Sequence, residues 1–323
     1  MARFKVAMTE TAGRKTGLEA DFFASNDVEC VQIPGNSAEE IIAGAKDCDG
    51  IIVVLASITD EILAGLPKCK VIVRRGIGLD NIDLEAAARH KIMVANVPDY
   101  CFPEVADHTL ALFLTLCRKI HLSWESTRQG KWDKSMLAPI PRIDGKVFGI
   151  MGCGAIGRSV ARRAAAFGLT IHGFDPFMPE DVMKKEGIVP FKDLHEFLAS
   201  VDFLSLHSPL TPDTKQIINA ETLGKMKPGL LLINAARGGL IDEAALYEAL
   251  KNKVIAGAAL DVLCDEPPKE DNPLATLGNV IITPHVAFYS VESNRDLAVK
   301  TVEEVLRTLV EGKPRYWVNK AGF

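Results

Sequence analysis

Residues 152–157 form a Gly-x-Gly-x-x-Gly run between an apolar segment, VFGIM, and a helix-like one, SVARRAAAFG. Glycine at Gly152, Gly154 and Gly157 allows a tight turn, a close approach of backbone to a pyrophosphate, and close packing of helix on strand; the helix N-terminus offers unpaired N–H groups to the anion. Asp175 ends the next apolar segment, 18 residues after Gly157, near the spacing of an acid that binds a ribose diol. A glycine-rich turn beside a surface aspartate is the plainer alternative. The spacing favours a dinucleotide. A carboxylate at this place repels a 2′-phosphate and no arginine follows at once, so NAD is expected rather than NADP.

Three further groups stand just beyond predicted strands. Arg237, in NAARGG, follows LLLIN, at the strand end where ligands of open α/β sheets bind. There a guanidinium forks onto a carboxylate, polarises a carbonyl, or merely holds loop carbonyls. Glu266 and His285 lie 19 residues apart, in DVLCDEPP and ITPHVAFYS. A carboxylate accepting from one imidazole nitrogen fixes the tautomer and leaves the other nitrogen to exchange a proton with substrate. Apart, the two are a solvated acid and a loop histidine. In VIVRRGIGLDNID, residues 71–83, Gly76 and Gly78 follow a strand, and the N–H groups of such a turn suit a carboxylate. The same segment also reads as a turn into a helix capped at Asp80 or Asn81. Arg74 and Arg75 point to opposite faces of their strand, so at most one faces a ligand.

The elements that must position these groups form two series. Short β-branched runs at residues 4–8, 30–33, 51–55, 71–74 and 92–95 alternate with helical patterns, as in βαβ units on a parallel sheet. Ser37 is a cap ahead of Glu39 and Glu40. Pro103 then opens one long helical pattern reaching about residue 132, with Glu104 and Asp107 at the positive end of its dipole. A second series predicts strands at residues 147–151, 170–174, 203–206, 230–233, 255–260 and 280–282, and a last amphipathic helix over residues 291–310.

At 323 residues, a prior of roughly 150 residues per domain gives about two domains. Hydrophobic residues at 48% and charged residues at 24% exclude disordered, collagenous and coiled-coil classes. Lysine and arginine total 37 against 42 acidic residues, net −5, and are scattered, so neither nucleic acid nor membrane is an expected partner. No apolar run approaches the roughly 20 residues that span a bilayer. The first ten residues turn polar too early for a signal core, and we expect a cytosolic protein. Seven cysteines, never spaced Cys-x-x-Cys, predict reduced thiols and no cysteine-built metal site.

GKVFGIMGCGAIG, FDP, LHSPLTPDT, NAARGGLIDE, GAALDVLCDEPP and NVIITPHVA together resemble the signatures of the D-isomer-specific 2-hydroxyacid dehydrogenases. The likeness runs from about residue 71 to 290, and the flanks suit it. It implies a Rossmann NAD domain inserted into a flavodoxin-like substrate domain, both doubly wound parallel sheets: residues 1–100 the first part of the substrate domain, 101–289 the NAD domain, and 290–323 the return. It implies hydride transfer between the nicotinamide and C2 of a small 2-oxo or 2-hydroxy acid of D configuration, with Arg237, Glu266 and His285 catalytic. NAD contacts are implied at the loop holding Ala155 and Ile156, at Asp175, His207, Pro209, Thr214, Ala235, Ala236 and Asp261, and at Thr109. Ile77 and Gly78 are implied to hold the substrate carboxylate, and a homodimer to form through the region of the long helical pattern that Pro103 opens.

Ala155 stands where many members carry an arginine, which removes one pyrophosphate contact. Arg74-Arg75 and HVAFYS look most like the branch of the C-terminal-binding-protein corepressors, which implies Arg74 near the substrate and an alternative function as an NAD-sensing scaffold. Glu266, where formate dehydrogenases carry glutamine, argues against formate. The regulatory domain of longer phosphoglycerate dehydrogenases is not expected after Phe323.

Overall fold

The computed structural model describes residues 3–9 and 17–323; Met1, Ala2 and Glu10 of the N-terminal stretch lie outside the described residues. The chain divides into two units, Met1–Tyr100 with Ser290–Phe323, and Cys101–Tyr289.

The first unit carries β1 (Phe4–Met8), β2 (Val28–Gln32), β3 (Gly50–Val53), β4 (Val71–Arg74) and β5 (Met93–Ala95). They form one parallel sheet in the order β2-β1-β3-β4-β5, the flavodoxin-like order. Alternation along the strands explains the nearly continuous apolar sequence, since both faces are covered. Ala7, Ile51, Val53 and Ile72 enter one core. Val6, Met8, Ile52 and Val73 enter another, where Val302 and Val305 of the helix Val291–Glu311 meet them. That apolar stripe is why the chain's end belongs to this unit. Ser37 and Glu40 form a capping box on the helix Ala38–Ala45. After the Gly76–Gly78 turn the helix is Leu84–Arg89, and its cap is Asp83, whose carboxylate accepts from the Ala86 N–H at 2.8 Å. Neither Asp80 nor Asn81 takes that place; Asn81 donates to the Ala56 carbonyl at 2.8 Å.

The second unit carries β6 (Val147–Met151), β7 (Thr170–Phe174), β8 (Ile188–Phe191), β9 (Phe203–Leu206), β10 (Leu231–Asn234), β11 (Gly257–Leu260) and β12 (Val280–Ile282). All pairings are parallel, in the order β12-β11-β10-β9-β6-β7-β8, the Rossmann order with one strand added. Two expectations are corrected. β8 was not expected, because it is short and contains Pro190; as the edge strand it has room for a residue that cannot donate to a ladder. The single long helix is in fact two, Phe102–Cys117 and Ile120–Arg128, separated at Lys119 with φ of 54°. A left-handed residue cannot continue a right-handed helix. The core that fixes the first helix, through Ala106, Leu110, Phe113 and Leu116, gives out at this point; the second buries only Ser126.

Phe113 of the first of these helices sits edge-on to Phe148 of β6 and Phe203 of β9, with centroids 5.0 and 4.8 Å apart. Its side chain is fully buried. Phe113→Ala leaves a cavity beneath the strands that carry the glycine loop and should lower unfolding free energy by about 3–5 kcal/mol. Urea unfolding of the variant checks this, and a loss under 1 kcal/mol contradicts the assigned packing.

Candidate active site

In the second unit β6 and β9 are neighbours with Met151 opposite Leu206, so Gly152 and His207 leave the sheet side by side. This is where strand order reverses, the place at which open α/β sheets bind ligands. Gly152 has φ of 91°, and a Cβ there would lie 2.6 Å from the His207 and Ser208 backbone. Around Gly154 the space is open, and Gly154 caps the helix Ala155–Ala165 without any side-chain cap. The leading N–H groups of that helix, from Ala155, Ile156 and Gly157, are therefore not covered by a side chain of the cap residue. Gly157 packs against the Gly152 carbonyl, where a Cβ would not fit. These are the properties a pyrophosphate cradle requires.

Asp175 follows β7 and is held by three backbone donors. Its Oδ2 accepts from Cys153 N–H at 2.8 Å, and its Oδ1 from Phe177 N–H at 2.9 Å and Met178 N–H at 3.1 Å. The carboxylate is thus fixed against the glycine loop, where a ribose diol would meet it. Ala155 is exposed, with no guanidinium; Arg158, one turn further, directs Nη1 to the Cys153 carbonyl at 2.8 Å. The loop after β9 is closed by Thr214, whose hydroxyl donates to the Pro209 carbonyl at 2.7 Å. Ala235 and Ala236 lie half-buried in the loop after β10. Thr109 is fully buried and its hydroxyl donates to the Val105 carbonyl at 2.7 Å, so its side chain faces the interior of the unit. The residues after β6, β7, β9 and β10 fit NAD.

Asn234, Leu260 and Ile282 share one row across β10, β11 and β12. Arg237, Glu266 and His285 follow the ends of these three adjacent strands. His285 and Glu266 meet: Nδ1 lies 2.6 Å from Oε2, with the side chains 40% and 37% exposed. The other carboxylate oxygen, Oε1, accepts from the Leu263 N–H at 3.0 Å, so Glu266 is held from both sides. Arg237 is half-buried, its Nη1 donating to the Ala236 carbonyl at 2.7 Å. Asn234 braces this turn by donating to the Arg237 carbonyl and accepting from the Ala236 N–H, at 2.8 and 3.0 Å.

Asp261, 1% exposed, lies beneath the His285 loop. Its Oδ1 accepts from the Thr283 hydroxyl at 2.5 Å and the Val286 N–H at 3.0 Å, and its Oδ2 from the Ala287 N–H at 2.9 Å. His108 Nε2 is 3.4 Å from Oδ1 and 3.1 Å from Thr283 Oγ1. Burial opposes ionisation of Asp261, yet the hydrogen bonds from His108, Thr283, Val286 and Ala287 outweigh it and hold the carboxyl below its ordinary range. Thr283, His108 and Asn234 were not among the expected site residues. A threonine between a strand end and Pro284 was the one signal pointing to the first; the other two have residue types common in any fold.

In the first unit, Arg74, Ile77 and Gly78 are half-buried and Gly76 is buried. Arg74 curls over Gly76, where a Cβ would collide with its guanidinium, and donates to the Arg75 carbonyl at 2.7 Å. Arg75 turns the other way and forms a buried ion pair with Glu19 at 2.6 Å. The Ile77 carbonyl is tied back by Asn96 at 2.7 Å.

Residues 110–287 match the family model described as "D-isomer specific 2-hydroxyacid dehydrogenase, NAD binding domain". The chain belongs to this family. It is 42% identical over 276 residues, 85% of its length, to the D-3-phosphoglycerate dehydrogenase of Methanocaldococcus jannaschii, of which the match covers 52%. The chain thus spans about half the length of the phosphoglycerate dehydrogenases that it matches. With the glycerate dehydrogenase of Methylorubrum extorquens the identity is 42% over 284 residues, covering 86% of this chain and 87% of the relative. Among solved structures, an NADPH-dependent glyoxylate/hydroxypyruvate reductase from Sinorhizobium meliloti, in complex with NADP and malonate, superposes with a TM-score of 0.89. It is 30% identical, covering 99% of this chain and 98% of the other. None of these three is a corepressor by name, so they lend no specific support to that branch of this dehydrogenase family.

His207 supplies a pH signature. Burial pushes its pKa down to about 4, from an ordinary value of 6.5; Nε2 lies 2.9 Å from the buried Ser205 hydroxyl. Between these two values the unfolded chain holds the extra proton. The stabilisation is therefore complete above pH 6.5 and is lost as pH falls toward 4. The Tm of the unaltered protein should fall over this window more steeply than that of His207→Gln, and parallel curves would contradict the assigned burial.

Proposed function

We propose that this protein is an NAD-dependent oxidoreductase acting at C2 of a small 2-oxo or 2-hydroxy acid, giving the D isomer, with His285 as acid and base. The observation that carries the reading is the 2.6 Å contact between His285 and Glu266 beyond the ends of β12 and β11. Bound NAD supplies or accepts the hydride. In the direction of reduction, His285 with both nitrogens protonated gives the Nε2 proton to the carbonyl oxygen. Glu266, already bonded at Nδ1, stabilises the imidazolium and holds the ring so that Nε2 is the nitrogen presented. Arg237 polarises the same carbonyl and grips the carboxylate. Arg74, Ile77 and Gly78 contribute to carboxylate binding, with the turn's N–H groups as donors. In oxidation His285 takes the hydroxyl proton at Nε2.

Asp175 favours NAD over NADP, because a fixed carboxylate repels a 2′-phosphate. We also propose that the protein acts as a homodimer. Trp132 is 93% exposed, Trp124 60% and Met136 52%, a concentration of apolar surface in residues 124–136 that suits an interface. Seven free cysteines are in keeping with a reducing compartment, the cytosol.

Turnover of a 2-oxo-acid panel with NADH tests the activity, and the absence of any substrate in the panel argues against it. His285→Gln should lower kcat by about 10² to 10⁴ while the Kd for NADH changes little; near-normal turnover removes His285 from the mechanism. The unaltered protein should use NADH better than NADPH in kcat/KM, and Asp175→Ala should narrow the gap; equal use of both at the outset contradicts the role given to Asp175. Sedimentation equilibrium should give twice the chain mass, and a single-chain mass at micromolar concentration excludes a stable dimer.

A further inference from the structure

We infer that His108, Thr283 and Asp261 form a clamp that positions His285 for proton exchange, an inference that rests on the dehydrogenase reading above. His285 itself adopts φ of 49°, a left-handed conformation that a residue with a Cβ keeps only where its surroundings impose it. The surroundings that impose it converge on Asp261. The backbone carbonyl of Asp261 accepts from the His285 N–H at 2.8 Å, and its carboxylate accepts from the next two N–H groups, of Val286 and Ala287. Main chain and side chain of one residue thus hold three consecutive residues of the loop.

What holds Asp261 is equally defined. Thr283 gives its only hydroxyl hydrogen to Oδ1, so at 3.1 Å its oxygen can only accept from His108, whose Nε2 must carry a hydrogen. His108 comes from the helix Phe102–Cys117 and reaches both Thr283 Oγ1 and Asp261 Oδ1. The Thr283 hydroxyl and the Val286 N–H engage Oδ1, with His108 Nε2 3.4 Å away, and the Ala287 N–H engages Oδ2, so the chain itself holds both carboxylate oxygens. Resemblance assigns Asp261 to the cofactor; the geometry makes it first a positioning residue, with His108 acting through it and Thr283.

Thr283→Val keeps the shape and removes the hydroxyl, whereas Thr283→Ser keeps the hydroxyl. His108→Leu removes the donor and His108→Gln retains one. Val and Leu should lower kcat by about 10- to 100-fold, the scale of a small misplacement of a reacting group. The KM for the 2-oxo acid and the Kd for NADH should stay within about twofold, with Ser and Gln near the unaltered protein. Unchanged kcat in Val and Leu overturns the inference. So does a loss of NADH affinity that parallels the loss of kcat, since the cluster then serves the cofactor. A readout independent of turnover is the low-field proton NMR signal of the short His285–Glu266 hydrogen bond. It should be present in the unaltered protein and in Thr283→Ser, and lost or shifted in Thr283→Val. An identical signal in all three overturns the clamp, even where no 2-oxo acid is turned over and the dehydrogenase reading itself has failed.

Discussion

A parallel sheet buries both of its faces, and that constraint governs where chemistry can occur in this protein. Every paired strand in both sheets runs parallel to its neighbour. Helices must cover both faces because each connection has to return the chain to its starting edge. Polar side chains are then left the strand ends and the loops beyond them. In the second unit the glycine loop, Asp175, His207, Arg237, Asp261 and Thr283 all follow carboxyl ends of strands, and the ladder register aligns those ends into rows. The residues that fit NAD follow β6, β7, β9 and β10, whereas the proposed proton chemistry lies in the loops after β11 and β12, beside Arg237 after β10.

Two carboxylates illustrate how burial divides labour within that edge. Asp261 is buried almost completely, and its charge is tolerated because four donors surround it. A charge so enclosed suits the shaping of a loop and is poorly placed to trade protons with a ligand. Glu266 and His285 are each more than a third exposed, so the imidazole is open to solvent while the carboxylate holds its Nδ1 side. The buried Arg75–Glu19 pair in the first unit follows the logic of Asp261. It joins the end of β4 to the helix Gly17–Ala24, and it leaves Arg74, on the opposite side of the strand, as the arginine next to the Gly76–Gly78 turn.

Local patterns in the sequence settled much of this. The glycine spacing and Asp175 marked the dinucleotide loop because backbone freedom and an acid at one distance are local requirements. Apolar runs bounded by Gly, Asn and Asp marked the strands whose ends carry the proposed site, and Glu266 and His285 stood out because each follows such a run. Tertiary structure alone decided the rest. Pro190 is tolerated in β8 only because that strand lies at the sheet's edge, a fact of strand order. The long helical pattern breaks at Lys119 because the core supporting its first half gives out there. His108 meets Thr283 across 175 positions of chain, and no spacing or residue type announces that contact. Periodicity and turn chemistry act within a few residues and are therefore legible in the sequence. The packing that brings His108 beneath the His285 loop depends on how a whole sheet is ordered, and that order arises only when the distant strands pair.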